Sequence, residues 1–185
     1  MIHRKFRNVR IVPVLAATGK PILMIGNHFS WWDGFFACYL NQEIFHKKLH
    51  IMMLEEQLRP RMFLNKAGAY SIRKGSRDAL ESLKYTAGLM NDPGNLAVLY
   101  PQGEFESVYT FPVRFENGME KIAGFAQNEF ELVFYAALID YFSYRKPTLT
   151  IYLEQANPAD AGSARLLESA YNSFLAFCIS KQRPE

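Results

Sequence analysis

The chain has 185 residues, of which 49% are hydrophobic and 21% are charged. This composition is typical of one globular domain with its own core, and it excludes a wholly disordered protein. The net charge of +3 gives no general indication of nucleic-acid binding, and no apolar run approaches the roughly 18 residues that a membrane-spanning helix needs.

The chain begins with a short basic segment, residues 1–20, which precedes the first predicted strand. Four positive charges lie at its start, namely Arg4, Lys5, Arg7 and Arg10. Such a run is either a solvated arm or an anchor for anionic lipid headgroups, to which each basic residue contributes about 1 kcal/mol. We reject a signal peptide, because the apolar part is short, contains Pro13 and is not followed by a cleavage pattern.

Apolar runs and helical patterns then alternate along the chain. In order, the sequence predicts a strand (21–26), a helix (33–45), a strand (50–54), a short helix (58–64), a strand (69–72), a helix with Ser76 as its N-cap (76–90), a strand (95–100), a helix (115–126), two strands (131–139 and 148–153) and a closing helix (163–181). This alternation predicts an α/β fold, a single-domain sandwich over residues 1–185 whose helices flank a largely parallel or mixed central sheet.

Two polar segments, residues 27–34 and 101–107, each follow a predicted buried strand. In α/β folds, binding and catalytic residues lie in the loops at the carboxyl ends of the strands. The first contains His28 and Asp33. Five helical steps would leave these side chains roughly 140° apart, so we expect His28 in the loop and Asp33 at the start of the helix. A turn then brings the carboxylate to one imidazole nitrogen and leaves the other to accept a proton. The spacing alone is a weak signal, because it is more typical of an ordinary loop histidine followed by a helix cap.

The surroundings of this pair resemble the glycerophospholipid and lysophospholipid acyltransferase family, which includes the 1-acylglycerol-3-phosphate acyltransferases. The string NHFSWWDG is similar to the first family motif, residues 68–73 (GAYSIR) to the second, and residues 100–107 (YPQGEFES) to the third. The apolar run 133–139 stands where a fourth motif is expected. The resemblance covers about residues 20–140.

The resemblance implies an acyltransferase in which His28 is the general base and Asp33 orients it. It implies substrate-binding roles for Asn27, Arg73, Gln102, Gly103 and Glu104, with Arg73 suited to a phosphate. For Arg73 a surface salt bridge is the alternative. The acyl donor would be a thioester of coenzyme A or of acyl carrier protein, used as a co-substrate, with no bound cofactor and no metal.

The third motif departs from the family pattern, because Gln102, Glu104 and Phe105 replace a glutamate, a threonine and an arginine. Loss of the arginine removes a phosphate-pairing charge, and Glu104 and Glu106 would repel a phosphate unless they face solvent. A neutral or amino-lipid acceptor is therefore favoured over a lysophospholipid. A thioester or ester hydrolase and a catalytically silent lipid-binding module are the alternatives.

Four aromatic residues crowd beside the pair, namely Trp31, Trp32, Phe35 and Phe36. They belong either to the core or to an acyl-chain pocket, to which Met52, Met53 and Met62 add flexible bulk. The expected partners are the acyl-thioester donor and a lipid or small-molecule acceptor, with peripheral membrane contact as an option and no nucleic acid. The two cysteines, Cys38 and Cys178, are expected as buried thiols, which predicts a cytoplasmic location, with the inner membrane face as an option.

Overall fold

The computed structural model of the protein describes residues 2–13, 15, 19–73 and 77–184. Its centre is a seven-stranded sheet. The strands are β1 (Asn8–Val12), β2 (Ile22–Gly26), β3 (Lys48–Leu54), β4 (Ala69–Ile72), β5 (Asn95–Leu99), β6 (Glu131–Asp140) and β7 (Thr148–Ala156). They lie in the order β1-β7-β6-β2-β5-β3-β4, and only the β6–β7 pair is antiparallel.

Helices cover both faces of this sheet. They are α1 (Ile2–Lys5), α2 (Asp33–Leu40), α3 (Glu55–Leu58), α4 (Arg77–Leu89), α5 (Glu120–Phe125) and α6 (Ala164–Ser180). A π-helical turn (Asn41–Phe45) continues α2, a 3-10 segment (Arg59–Ala67) continues α3, and a second 3-10 segment (Pro158–Gly162) precedes α6.

The central strands are buried on both faces because their side chains alternate between two cores. In β2, Leu23 and Ile25 belong to the core formed with α4, α5 and α6, whereas Ile22 and Met24 belong to the core formed with α1 and α2. A strand that is covered on both faces has a continuous apolar sequence, which is why β2 is recognisable in the sequence. The predicted α/β fold, with a mostly parallel sheet between helices, is confirmed.

The start of the chain differs from the prediction, because the basic segment contains β1 and α1. Arg10 donates from Nη2 to Thr150 Oγ1 on β7 (3.0 Å), and the Arg7 guanidinium lies 3.6 Å from the centre of the Tyr144 ring. β1 is therefore paired with β7, and Ile2 and Phe6 are buried in the core formed with α2. The interpretation as a solvated arm is wrong for residues 2–12.

Two predicted helices also differ in their limits. The helix predicted over residues 115–126 begins only at Glu120, and Phe115 lies before it, with its ring 5.4 Å from that of Tyr171. The predicted cap Ser76 lies outside the described residues. Both cysteines are free thiols, Cys178 buried and Cys38 half-buried.

Candidate active site

The site begins where β2 ends. Asn27, the first residue after β2, is buried, and its side-chain amide continues the sheet. Its Nδ2 donates to the carbonyl oxygen of Ala137 on β6 (3.0 Å), and its Oδ1 accepts from the Ala137 N–H (2.9 Å). Both polar atoms of Asn27 are thus engaged by the backbone. The substrate-binding role that the resemblance implies for Asn27 stays a prediction.

His28 and Asp33 meet as the sequence predicts. His28 Nδ1 lies 2.9 Å from Asp33 Oδ2, and the same oxygen accepts the backbone N–H groups of Phe29 (2.8 Å) and Ser30 (3.0 Å). The turn between the two residues is therefore wrapped around one carboxylate oxygen at the start of α2. Three donors on that oxygen hold the carboxylate in place and aim it at the imidazole.

The carboxylate of Asp33 is almost completely withdrawn from water, with 1% of its side chain exposed. Burial raises the pKa of Asp33 above its ordinary value, and the hydrogen bond from His28 and those from the Ser30 and Phe29 amides oppose this rise. Its second oxygen, Oδ1, is buried without a hydrogen-bond partner among the described residues.

Two aromatic rings hold the imidazole. The Tyr100 ring is stacked on it with centroids 4.5 Å apart and 19° between planes, and the Phe105 ring lies 4.3 Å away with a 44° tilt. Because Nδ1 faces Asp33, Nε2 is the nitrogen that remains for a substrate proton.

The third motif is folded onto the backbone of His28. Gln102 Oε1 accepts the His28 N–H (2.7 Å), and the Glu106 N–H donates to the His28 carbonyl oxygen (3.0 Å). Gln102 Nε2 in turn donates to the Glu106 carboxylate. Gln102 is buried and its side chain is engaged by His28 and Glu106, and the substrate contact expected of it stays a prediction. Glu104 is exposed, whereas Gly103, with φ +70°, lines the cavity described next.

An apolar cavity of about 320 Å³ opens beside His28. Of the four crowded aromatic residues, Trp31 and Phe35 line it. Trp32 and Phe36 pack instead in the α1–α2 core, where both rings contact Phe6. Further lining residues are Met52, Met53, Leu64, Ile72, Ala79, Leu83, Tyr100, Phe105, Glu116 and Met119.

Arg73 stands apart from this cavity, in a second recess of about 310 Å³ that shares Leu54 and Ile72 with it. Its guanidinium makes two hydrogen bonds to Glu55 (2.6 and 3.0 Å) and one to Asp78 (2.9 Å). The hydrogen bond and charge of Glu55 raise the pKa of Arg73, and the pairing lowers the pKa of Glu55. The guanidinium of Arg73, which was predicted to bind a phosphate, is therefore already paired with two carboxylates.

Sequence reasoning missed the three residues that hold His28 from the third-motif side, Tyr100, Phe105 and Glu106. Tyr100 itself accepts a hydrogen bond from the buried Tyr135 hydroxyl (2.8 Å). The order of the third motif offered a signal for two of them. Tyr100 ends a predicted strand and Phe105 lies in the loop after it, so both rings could be expected next to the predicted catalytic segment. Within the described part of the chain, no three His, Cys, Asp or Glu side chains are grouped as a metal site requires.

The family model named Acyltransferase matches residues 3–135 of the chain. No match is found among curated proteins. The matched range includes β2 with the His28–Asp33 pair, Arg73 and the third motif. Because it covers well over half of the sequence, the chain is an acyltransferase and belongs to the family of the glycerophospholipid acyltransferases.

Proposed function

We propose that the protein transfers an acyl group from a thioester of coenzyme A or acyl carrier protein to the hydroxyl or amine of an acceptor, with His28 as the general base. The observation that carries this is the buried Asp33 carboxylate at 2.9 Å from His28 Nδ1, with the imidazole at the wall of an apolar cavity. An acceptor group placed at Nε2 then lies next to a volume suited to a hydrocarbon chain.

In the proposed reaction, Nε2 of His28 accepts the acceptor proton as the acceptor oxygen or nitrogen attacks the thioester carbonyl. A carbon–oxygen or carbon–nitrogen bond forms, the carbon–sulfur bond breaks, and the thiolate leaves with the proton that His28 returns. Asp33 stabilises the transient imidazolium through Nδ1. No described Ser or Cys side chain is hydrogen-bonded to His28, and the proposed transfer is direct.

We infer further that the acceptor is neutral or carries an amine. Among the described residues, no lysine or arginine lines the cavity, whereas Glu116 does. Next to His28 the cavity presents the rings of Tyr100 and Phe105, which offer no charge to a phosphate. The guanidinium of Arg73 is held by Glu55 and Asp78, so a phosphate would have to displace carboxylates to reach it.

The test of the reaction is acyl transfer by purified protein with acyl-coenzyme A and acyl carrier protein donors, comparing wild type with His28→Ala. We expect the rate to fall by about 10²–10⁴-fold. The matched control is His3→Ala, since His3 is exposed on α1 and contacts the Tyr39 ring. Unchanged transfer by His28→Ala would refute His28 as the general base, whereas no transfer by wild type with lipid binding retained would indicate a lipid-binding module.

A parallel measurement separates transfer from hydrolysis. Free fatty acid and acylated product are quantified with and without acceptor, and we expect product to dominate when acceptor is present. Acceptor preference is tested with lysophosphatidate against uncharged and amine-bearing hydroxyl compounds. Efficient use of lysophosphatidate alone, abolished by Arg73→Ala, would refute the neutral or amine acceptor.

A further inference from the structure

The 3-10 segment Arg59–Ala67 exposes two adjacent large apolar side chains. Met62 is 57% exposed and Phe63 is 68% exposed, and this segment has no buried residue. Trp31, on the loop before α2, is 43% exposed and lies beside the segment, because the Arg61 guanidinium is 4.7 Å from the centre of its ring. We call Trp31, Met62 and Phe63 the apolar rim. Adjacent exposed side chains of this size are unusual on a protein that meets only water.

The charges around the apolar rim are basic. The segment carries Arg59, Arg61 and Lys66 and contains no acidic residue. The nearest acidic residues in sequence, Glu55 and Glu56, precede it on α3, and Glu55 is paired with Arg73. Apolar tips surrounded by Lys and Arg match the boundary between acyl chains and anionic headgroups.

The apolar rim is continuous with the cavity. Trp31 is part of both, and Leu64 and Ala67 of the same 3-10 segment line the cavity together with His28. A surface that binds lipid at the rim would therefore bring acyl chains to the opening from which they reach His28.

The apolar rim is better placed for contact with lipid than the basic N-terminal segment. Residues 59–67 lead into β4, whereas the basic N-terminal residues surround β1, and these two strands are the opposite edges of the sheet. Arg7 and Arg10 are, in addition, engaged by Tyr144 and Thr150. No helix of the described residues is long and apolar enough to span a bilayer.

We propose that the protein docks on the surface of an anionic lipid bilayer through Met62 and Phe63, with Arg59, Arg61 and Lys66 meeting the headgroups. A bilayer is favoured over an acidic carrier protein because Met62 and Phe63 are two adjacent, exposed apolar side chains, and a bilayer covers both of them with hydrocarbon. Docking goes beyond acyl transfer and is measured without turnover. An experiment can therefore refute docking while acyl transfer stands, or the reverse.

The test is co-sedimentation of the full chain with vesicles of phosphatidylcholine, with and without phosphatidylglycerol. We expect binding that requires phosphatidylglycerol and weakens with salt. The double variant Met62→Ser/Phe63→Ser should lower the vesicle partition coefficient by at least roughly tenfold. The matched control is Phe177→Ser, which removes a 55% exposed ring from α6 and should leave partitioning unchanged.

Thermal unfolding reports whether the double variant is folded, and we expect its Tm to be close to that of wild type. Activity with a short-chain, water-soluble thioester and acceptor should also be kept, because neither residue lines the cavity. Equal vesicle binding by wild type and double variant, or no binding of wild type to anionic vesicles, would overturn the proposal. It would also be overturned if the double variant lost binding to acyl carrier protein while its vesicle binding stayed unchanged.

Discussion

Asp33→Asn isolates what the buried charge contributes to catalysis. In the wild type, Asp33 Oδ2 accepts two backbone N–H groups and faces His28 Nδ1. An asparagine at this position satisfies the same two amides only with its carbonyl oxygen in the place of Oδ2. That oxygen still accepts from the Nδ1–H of His28, so the tautomer and the ring position are kept. The substitution then removes the negative charge and puts the amide Nδ2 where the buried Oδ1 now lies.

The magnitude follows from the distance between the charges. A carboxylate and an imidazolium whose charge centres are about 4 Å apart attract each other by about 4 kcal/mol at an effective dielectric constant of about 20. This corresponds to roughly 10³ in rate, and the amide dipole of asparagine retains part of it. We expect kcat to fall by about 10²–10³-fold with KM nearly unchanged, since the charge stabilises only the imidazolium formed during transfer.

The assay is steady-state acyl transfer, with thermal unfolding as the control for folding. Burial raises the pKa of Asp33 above its ordinary 3.8, so the folded state holds this proton more tightly than the unfolded state. The ionised group therefore lowers stability as the pH rises through and above that value. We expect Asp33→Asn to have an equal or higher Tm at neutral pH, with the difference shrinking towards pH 3.8. A kcat within threefold of wild type, as a rough limit, would refute the role of the charge.

The other predictions concern the support and the size of the site. Gly26→Ala should destabilise the protein by about 1–3 kcal/mol in chemical denaturation, because its Cβ would lie 2.1 Å from the Tyr135 ring. Gln102→Glu should lower kcat by roughly tenfold, because a carboxylate would face Glu106 where an amide N–H now donates, and adding Glu106→Gln should restore most of the rate. Ala79→Phe should shift the preference in a panel of thioesters towards shorter acyl chains, because Ala79 lines the cavity.

Each of these has an outcome that contradicts it. Wild-type stability of Gly26→Ala would mean that the Tyr135 ring moves aside at no cost. Failure of Glu106→Gln to rescue Gln102→Glu would show that charge repulsion is not the cause of the loss. An unchanged chain-length profile in Ala79→Phe would place the acyl chain outside the cavity.

The buried strands were predictable because each is a continuous apolar run between two cores. β1 was not, since its sequence NVRIV is half-exposed at an edge and its basic neighbours favoured an arm. The His28–Asp33 contact was predictable because both partners lie in one short turn, whose geometry the spacing limits. The contact between Gln102 and His28 joins residues 74 positions apart, and no local pattern specifies it.

The four aromatic residues beside His28 and Asp33 could have been assigned more fully from the sequence. Trp31 and Phe35 are four residues apart, as are Trp32 and Phe36, and positions i and i+4 lie near one another on a helical surface. The structure separates these two pairs, with the first at the cavity and the second in the core. Helical spacing could therefore have divided the four residues into a lining pair and a core pair.

The altered third motif first favoured a lipid-binding module as an alternative, since its residues differ from the family pattern. In the structure, Gln102 accepts from the His28 backbone and donates to Glu106, a bond that a glutamate at position 102 would lack the proton to make at neutral pH. Gln102 and Glu106 are therefore complementary, and together they hold His28 in place. Phe105 adds an apolar ring at 4.3 Å from the imidazole. The departure thus agrees with the proposed neutral or amine acceptor, and it no longer argues against the proposed role of His28.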